Sequence, residues 1–526
     1  MTGRPLILAI DAGTSMLKAV AFDTDGRLID SESRPNVHHE SAGGRAEQDM
    51  GATWSHIAAI ISALTARHES AAILALAVTG QGDGTWLIDA EGNPVGPAIL
   101  WLDGRAGPLV DAFRATDAAR THFEQTNTGL AACHQSSQIL WLAQHQPDRL
   151  AAAATALHCK DYLYFRLTGE RATDPSEGGF TYGSWRTRAY SDATIAALGL
   201  QSHRRLLPPI VDGSRTAHPL TAAAAAQLGL QAGTPVVLGF IDTVCSGLGA
   251  GLLATGAEGT AGTSILGSTG INMRLAPDEF ELPADAPMSG FRVACPAPGR
   301  TVLMQSMLAA TLNIDWLVGL AGHAVRLAGH SSEPDAMRHA LDATVLEAPP
   351  ARAMFHPYIA AAGERGPFTD ATARASLAGI SRSLDLPGVM RSIYEGIALA
   401  AADCYDAMGS KPDIITLTGG AARSTAMRHI FAATLNRPVR IVREHGGAAL
   451  GAAMIAAVSC GIASSMEACA AAWVTPLLGT PEPPDAGLAA RYAGLLGIYQ
   501  QSRRSMAGEA RSSFWHQFAA VQEPGQ

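Results

Sequence analysis

Residues Leu6–Ile29 read LILAIDAGTSMLKAVAFDTDGRLI, and the rest of the chain is read outward from them. An apolar run, Leu6–Ile10, ends at Asp11. Ala12, Gly13, Thr14 and Ser15 follow, and a second apolar run, Leu17–Phe22, closes on Asp23-Thr24-Asp25-Gly26. Apolar runs of this length bounded by turn residues predict two strands of a hairpin, with Asp25-Gly26 marking the next turn. The first turn carries a carboxylate, a glycine and two hydroxyls. It can turn backbone N–H groups and hydroxyls toward an anion while Asp11 faces a cation or a bound water. The same residue types are the ordinary material of hairpin turns, so the turn alone leaves both uses open.

Beyond the hairpin, Thr53–Arg67 places Trp54, Ile57, Ile60, Ile61 and Leu64 on one stripe, which predicts a helix. Ile73–Val78 predicts a buried strand ending in the loop Thr79-Gly80-Gln81-Gly82-Asp83-Gly84. Open α/β sheets place ligands at the carboxyl ends of their strands, so Gln81 and Asp83 are site candidates. Ile99–Leu102 predicts a short strand followed by Asp103-Gly104-Arg105. Asp103 and Arg105 would then share a face, with Trp101 as an apolar wall. The polar segment Asn127–Gln138 leads into a helix and offers His134 and Gln135 to a ligand. Lys160–Thr168 is a helix or strand ending at Gly169, and Asp174-Pro175-Ser176-Glu177 is a turn opening another helix.

A second aspartate follows a strand at Thr234–Gly239, in Phe240-Ile241-Asp242. The glycine- and hydroxyl-rich segment Gly262-Thr263-Ser264 comes next and predicts a turn like the first. The pattern suggests a weak internal repeat, with a domain junction within roughly Gly249–Gly259. Farther on, Ile314–Leu320, Arg391–Ala407 and Arg428–Leu435 predict helices. Ile414–Leu417 predicts a strand ending in Thr418-Gly419-Gly420-Ala421-Ala422-Arg423-Ser424, a glycine turn opening a helix and suited to a nucleotide. Pro438–Val442 is a further strand, Glu444–Ala457 a helix of small residues, and Gln522–Gln526 a frayed tail.

The chain has 526 residues, enough for three or four ordinary domains or two large ones. At 47% hydrophobic and 16% charged it can bury a large core. A net charge of −9 without a long basic run argues against a nucleic-acid partner. The seven cysteines are scattered without Cys-x-x-Cys spacing, which suits reduced thiols in a cytoplasmic protein. Asp11 interrupts the first apolar run before a signal-peptide core forms, and the other apolar runs are too short to span a bilayer. The P-loop, the kinase H-R-D and D-F-G motifs and H-E-x-x-H are all missing, so nucleotide chemistry would need another phosphate-binding device.

Asp11-Ala-Gly-Thr-Ser, Asp242 after a mid-chain strand, Gly262-Thr263-Ser264, and Gly419-Gly420-Ala421 with Ser424 occur in this order. With that combination the chain resembles the FGGY carbohydrate kinases from about Leu6 to Ala457. The resemblance implies an α/β protein of two actin-like (ribonuclease H-like) ATPase domains flanking a deep cleft. Residues 1–252 would bind the polyol, 253–480 would bind ATP, and 481–526 would form a helical tail. It implies ATP and Mg²⁺ as cofactors. Asp11 would help hold the metal, and Gly13, Thr14 and Ser15 would line the phosphate turn. Asp242 would take the proton of the attacking hydroxyl and so also touch the substrate. Gln81 and Asp83, Trp101 and Asp103, and His134 fall on the substrate side. Gly262 and Thr263 match a hairpin facing the phosphates; Gly419, Gly420 and Ser424 match the adenosine loop. The FGGY signature is imperfect around Tyr394–Ile397.

Within the family, AVTGQGDGTWL (Ala77–Leu87), WLDGRA (Trp101–Ala106), HCKDYLYFRLTG with RATDPSE (His158–Glu177) and AGERGPF (Ala362–Phe368) are most similar to kinases of erythritol. The Met-His pair of xylulose kinases and the Arg-Glu pair of glycerol kinases are missing from the Gln81–Asp83 loop. An acidic Asp83 can accept hydrogen bonds from two hydroxyls of a short uncharged polyol. Phosphoryl transfer needs positioning and charge neutralisation more than covalent help, and a carboxylate can take the proton of a weakly nucleophilic hydroxyl. The expectation is phosphorylation of a terminal hydroxyl of erythritol. Other polyols or sugars (ribitol, threitol, xylulose, glycerol), a non-catalytic actin-like ATP-binding protein, and a homo-oligomer all stay open. Glu364 and Arg365 have no assigned role.

Overall fold

The computed structural model describes residues 4–41, 43–68, 73–254, 259–443, 446–507 and 513–522. Part of the expected junction, the start of the expected helix at Glu444, and residues 523–526 of the tail lie outside the described residues.

The opening stretch folds as expected. β1 (Leu6–Ala12) and β2 (Met16–Asp23) pair antiparallel with Leu6 opposite Asp23, and β3 (Leu28–Pro35) extends the meander. Gly26 makes the second turn possible: its φ is +76°, and a Cβ there would stand 2.3 Å from Trp473. Asp49 caps helix α1 (Met50–Thr65) by accepting from the Ala52 N–H at 2.8 Å. β4 (Ile73–Gly80) then lies parallel to β1 on its other side. After helices α2 (Gln135–His145), α3 (Cys159–Thr168) and α4 (Pro175–Tyr182), β5 (Ala217–Pro219) and β6 (Pro235–Leu238) complete a six-stranded sheet, ordered β5-β6-β4-β1-β2-β3. Helix α5 (Asp242–Gly249) follows. The apolar run at Ile99–Leu102 gives only a two-residue strand, Ala98–Ile99; Trp101 and Leu102 already belong to a turn.

The second half repeats the plan. β7 (Ala261–Leu266), β8 (Gly270–Pro277), β9 (Phe291–Ala294) and β10 (Arg300–Met307) form an antiparallel set. After the long helix α6 (Leu386–Ala407), β11 (Ile414–Thr418) pairs parallel to β7. Helix α7 (Thr425–Leu435) leads to β12 (Val439–Ile441), parallel to β11, and α8 (Ala448–Ser459) follows. The order is β9-β10-β8-β7-β11-β12. Each half therefore has antiparallel strands on one side of its first strand and two parallel strands, reached through helices, on the other. These are β4 and β6 in the first half, with β5 as an antiparallel edge, and β11 and β12 in the second.

Four apolar clusters hold the described residues together; the smallest lies around Leu142, Tyr182 and Leu206 of the first half, and the other three bear on the sheets. One fills the outer side of the first sheet beneath α1, and one the outer side of the second around α6 and α7. Tyr492 and Tyr499 of α9 (Ala486–Met506) are buried in the second of these. The third joins the halves: Ile7, Ala9 and Ala77 of the first sheet, Met273 and Val302 of the second, and α5 and α8 between them. Small residues let these helices meet backbone to backbone. α8 is buried along Ala448–Ala457, and a Cβ on its Gly451 would stand 2.1 Å from the Cys245 carbonyl of α5. Gly451→Ala is accordingly expected to cost about 1–3 kcal/mol as α5 is pushed aside, and to lower turnover because α5 begins at Asp242. Urea unfolding with parallel turnover assays checks this; a variant of wild-type stability would show that the crossing is loose.

Among the described residues no helix is long and apolar enough to cross a membrane.

Candidate active site

The carboxyl ends of β1, β4 and β6 converge on a cavity of about 210 Å³ between the two halves. Thr14, Gln81, Asp83, Trp101 and Asp242 line it from the first half; Thr269, Phe291, Met304 and Arg365 line it from the second. Asp11 is the penultimate residue of β1, opposite Thr79 of β4. Asp242 opens α5 a few residues beyond β6. The Gln81–Gly84 loop reverses through two left-handed residues, Asp83 (φ 56°) and Gly84 (φ 75°). Aspartate tolerates that region, and at Gly84 a Cβ would meet the Ile99 carbonyl at 2.6 Å.

A chain of polar contacts ties the first turn to this loop. The Trp101 indole N–H donates to Thr14 Oγ1 at 2.7 Å, and Thr14 donates to Gln81 Oε1 at 3.1 Å. Gln81 Nε2 donates to Gln48 Oε1 at 3.1 Å, Gln48 Nε2 to Asn36 Oδ1 at 2.8 Å, and Asn36 Nδ2 to the Gly13 carbonyl at 2.8 Å. Thr14 thus faces the cavity, while Ser15 is exposed. Asp83 accepts from the Cys133 thiol at 3.3 Å through Oδ2, and its buried Oδ1 has no partner.

Two of the expected substrate residues lie behind the cavity rather than on it. Asp103 is buried in a fork with Arg105 (2.8 and 2.7 Å) and also accepts the Ala46 N–H at 2.7 Å. Arg105 continues to Glu47 at 2.6 Å. With both oxygens engaged, Asp103 holds the loop beneath Trp101. His134 is fully buried at the start of α2, its ring 5.4 Å from Phe180 and 5.7 Å from Phe291, with both nitrogens unpartnered. Burial lowers its pKa, so the ring is neutral.

Charge is concentrated around Asp11 and Asp242. Burial raises Asp11 to about 6 despite Lys18 nearby. Burial, and then the negative charge of Asp11, hold Asp242 well above the usual carboxylate range. Two half-buried carboxylates in this state suit a hard divalent cation, which would favour their ionised forms. A second donor set, Asp83, Cys133 and His134, has ligand atoms within 4.8 Å of one another, but the Arg365 guanidinium lies 3.5 Å from the thiol and opposes a cation.

Glu177 is a site residue that sequence patterns did not single out. Its Oε1 accepts the Asp83 N–H at 3.2 Å, and burial raises its pKa to about 8. It sits over a buried charge cluster in which Lys160 Nζ is 2.6 Å from both Asp161 and Asp174, and His158 is 2.9 Å from Asp161. Asp174 caps α4 by accepting from Ser176 N at 2.7 Å, and Ser176 Oγ accepts from the Ile241 N–H at 3.0 Å. The cluster therefore places both the Asp83 loop and the residue before Asp242. A lysine and aspartate inside the otherwise apolar Cys-Lys-Asp-Tyr-Leu, followed by Asp-Pro-Ser-Glu, was the available signal.

In the second half, one expected turn is corrected. Gly262, Thr263 and Ser264 lie inside β7, paired to both β8 and β11; Pro412 fills the space where a Gly262 side chain would be, 2.4 Å from its Cβ position. The counterpart of the first hairpin turn is Gly267-Ser268-Thr269, between β7 and β8, and Thr269 reaches the cavity. Gly419 has φ +90°, and a Cβ there would meet the Leu266 carbonyl at 2.5 Å, so the turn after β11 closes tightly over the end of β7. Gly420 is exposed with open space around it. Ser424 caps α7, accepting from Met427 N at 3.1 Å and donating to Asp342 at 2.5 Å.

Residues 6–249 match the model of the FGGY family of carbohydrate kinases, N-terminal domain, and residues 262–460 match its C-terminal domain. The chain is 45% identical over 505 residues to erythritol kinase of Brucella abortus (strain 2308), covering 95% of this chain and 96% of that one. It is 29% identical to xylulose kinase of Escherichia coli (strain K12), covering 86% and 90%. Among solved structures it superposes on a ligand-bound xylulose kinase from Lactobacillus acidophilus with a TM-score of 0.86 at 21% identity, covering 96% and 99%. On Plasmodium falciparum glycerol kinase with ADP the TM-score is 0.81 at 17% identity, covering 96% and 99%. These two likenesses establish the two-domain, actin-like fold.

Proposed function

The chain belongs to the FGGY family of carbohydrate kinases and is an ATP-dependent sugar or polyol kinase; from that premise we propose that its acceptor is erythritol, phosphorylated on a terminal hydroxyl. The observation that carries this reading is the acceptor cavity. It is smaller than the roughly 300–1,000 Å³ of drug-sized sites, and its Asp83 keeps a buried carboxylate oxygen without a partner. That oxygen can accept from a polyol hydroxyl, which suits a short chain with a hydroxyl on every carbon. The extensive likeness to the Brucella abortus enzyme supports the same choice.

In this reading Asp242 accepts the proton of the attacking hydroxyl as the phosphoryl group moves. Trp101 and Asp83 orient the polyol, Gln81 holds the loop, and His134 backs it with an apolar, uncharged wall between two phenylalanines. The turns at Gly13–Ser15 and Gly267–Thr269 offer N–H groups and hydroxyls to the phosphates. Gly419 and Gly420 let the adenosine approach the end of β11, and Ser424 fixes the helix behind it. Mg²⁺, held on Asp11 with Asp242 nearby, would neutralise phosphate charge and keep both carboxylates ionised.

A coupled ADP-release assay over erythritol, threitol, ribitol, glycerol and xylulose tests the acceptor. Erythritol is expected to give the highest kcat/KM, and clear preference for the ketose would overturn the assignment.

A further inference from the structure

Arg365 belongs to the second half of the chain, yet it borders the polyol cavity beside residues of the first half. Its backbone is anchored. Glu364 is buried and accepts the N–H of Leu308 and of Arg365 itself, both at 2.9 Å, and residues 364 and 370 exchange two backbone hydrogen bonds of 2.9 Å. Gly366 packs against β10, where a Cβ would stand 2.6 Å from the Ser306 carbonyl. From this fixed base the guanidinium crosses to the first half, 3.5 Å from Cys133 Sγ and 5.7 Å from the centroid of the Trp101 ring. Among the described residues its side chain contacts the Cys133 thiol and the Trp101 ring and forms no ion pair.

One small cavity therefore holds a guanidinium without a carboxylate partner and a carboxylate, Asp83, with a buried oxygen that accepts nothing. A guanidinium only donates and an ionised carboxylate only accepts. A hydroxyl does both, so adjacent hydroxyls can satisfy the two groups together. An anionic acceptor would be drawn to Arg365 but repelled by Asp83. We propose that Arg365 reads the polyol hydroxyls that are not phosphorylated, jointly with Asp83, and that its hold on them draws the second half onto the first. This rests on the polyol-kinase reading above. In consequence the enzyme measures chain length through a residue of its ATP-side half, and closure is tied to a fully hydroxylated acceptor.

The test uses the full-length enzyme with ATP and compares erythritol with glycerol, which is one carbinol shorter. Arg365→Gln is expected to raise KM for erythritol at least tenfold and leave KM for ATP within twofold. It should also narrow the erythritol-over-glycerol ratio of kcat/KM at least tenfold. Arg365→Lys should recover part of the KM but little of the ratio, since a point charge lacks the planar fork. Small-angle scattering should show polyol-induced compaction of the wild type that Arg365→Gln loses. An unchanged ratio in Arg365→Gln, even with lowered overall activity, would overturn the proposal and leave Arg365 a packing residue. Should the wild type prefer another polyol, that polyol and its one-carbinol-shorter analogue replace the pair, so an error in the acceptor is told apart from an error about Arg365. A wild type inert to every polyol would overturn both.

Discussion

Asp242→Asn is expected to lower kcat by about 10²–10⁴-fold while leaving KM for ATP nearly unchanged and raising the melting temperature of the metal-free protein. The two effects have one cause. Asp242 is held well above the ordinary carboxylate range by burial and by the charge of Asp11, so ionising it at neutral pH costs folding free energy. Asparagine keeps the shape, removes that cost, and cannot take a proton from the acceptor hydroxyl. Rapid-quench kinetics and calorimetry without Mg²⁺ read the two consequences separately. Near-normal turnover would remove Asp242 from proton transfer; a lower melting temperature would mean that its ionised form is stabilised by contacts other than those seen here.

Lys160→Met is expected to be the most destabilising of the substitutions considered, by about 3–5 kcal/mol. The ammonium is fully buried between Asp161 and Asp174, 2.6 Å from each. It holds Asp161 below the usual carboxylate range and is itself held above the usual lysine value by these neighbours. Methionine fills a similar volume, so the loss isolates the charge: Asp161 and Asp174 remain in a dry interior beside a third carboxylate, Glu177, with His158 as the neighbouring basic group. The effect reaches the active site because Asp174 caps α4, and Ser176 on that helix accepts from Ile241, the neighbour of Asp242. Urea unfolding gives the stability change and turnover below the unfolding range gives the displacement. A loss under about 1 kcal/mol would show that the carboxylates relax by taking up protons.

Much of the fold was legible in local pattern. The hairpin at Leu6–Ile29, the helix over Arg391–Ala407, and the strand at Ile414–Leu417 appear within a few residues of their expected bounds, because periodicity and turn chemistry act over short distances. The places of Asp11 near the end of β1 and of Asp242 shortly after β6 were legible for a related reason, since each carboxylate follows an apolar run. Asp103 shows the limit. Its spacing from Arg105 predicts a shared face, which is correct, but whether that face meets a ligand or the interior depends on Ala46 and Glu47, which a distant strand brings there.

The sequence by itself determined the alternation of strands and helices and the position of the opening carboxylate turn, which rest on run lengths and turn residues. The order of its motifs carried the resemblance to the FGGY carbohydrate kinases, and that resemblance implied the two-domain plan and the kinase activity. Only the tertiary structure decided which glycine-hydroxyl segment of the second half is a turn. Gly262–Ser264 and Gly267–Thr269 have nearly the same composition, and pairing with β8 and β11 drew the first into the sheet and left the second at its edge. It also decided that Glu177, 94 residues from Asp83, supports the Asp83 loop, and that Arg365 lines the same cavity from the other half. A charged side chain acquires such a role from the neighbours that folding gives it, and no local pattern records who those neighbours will be.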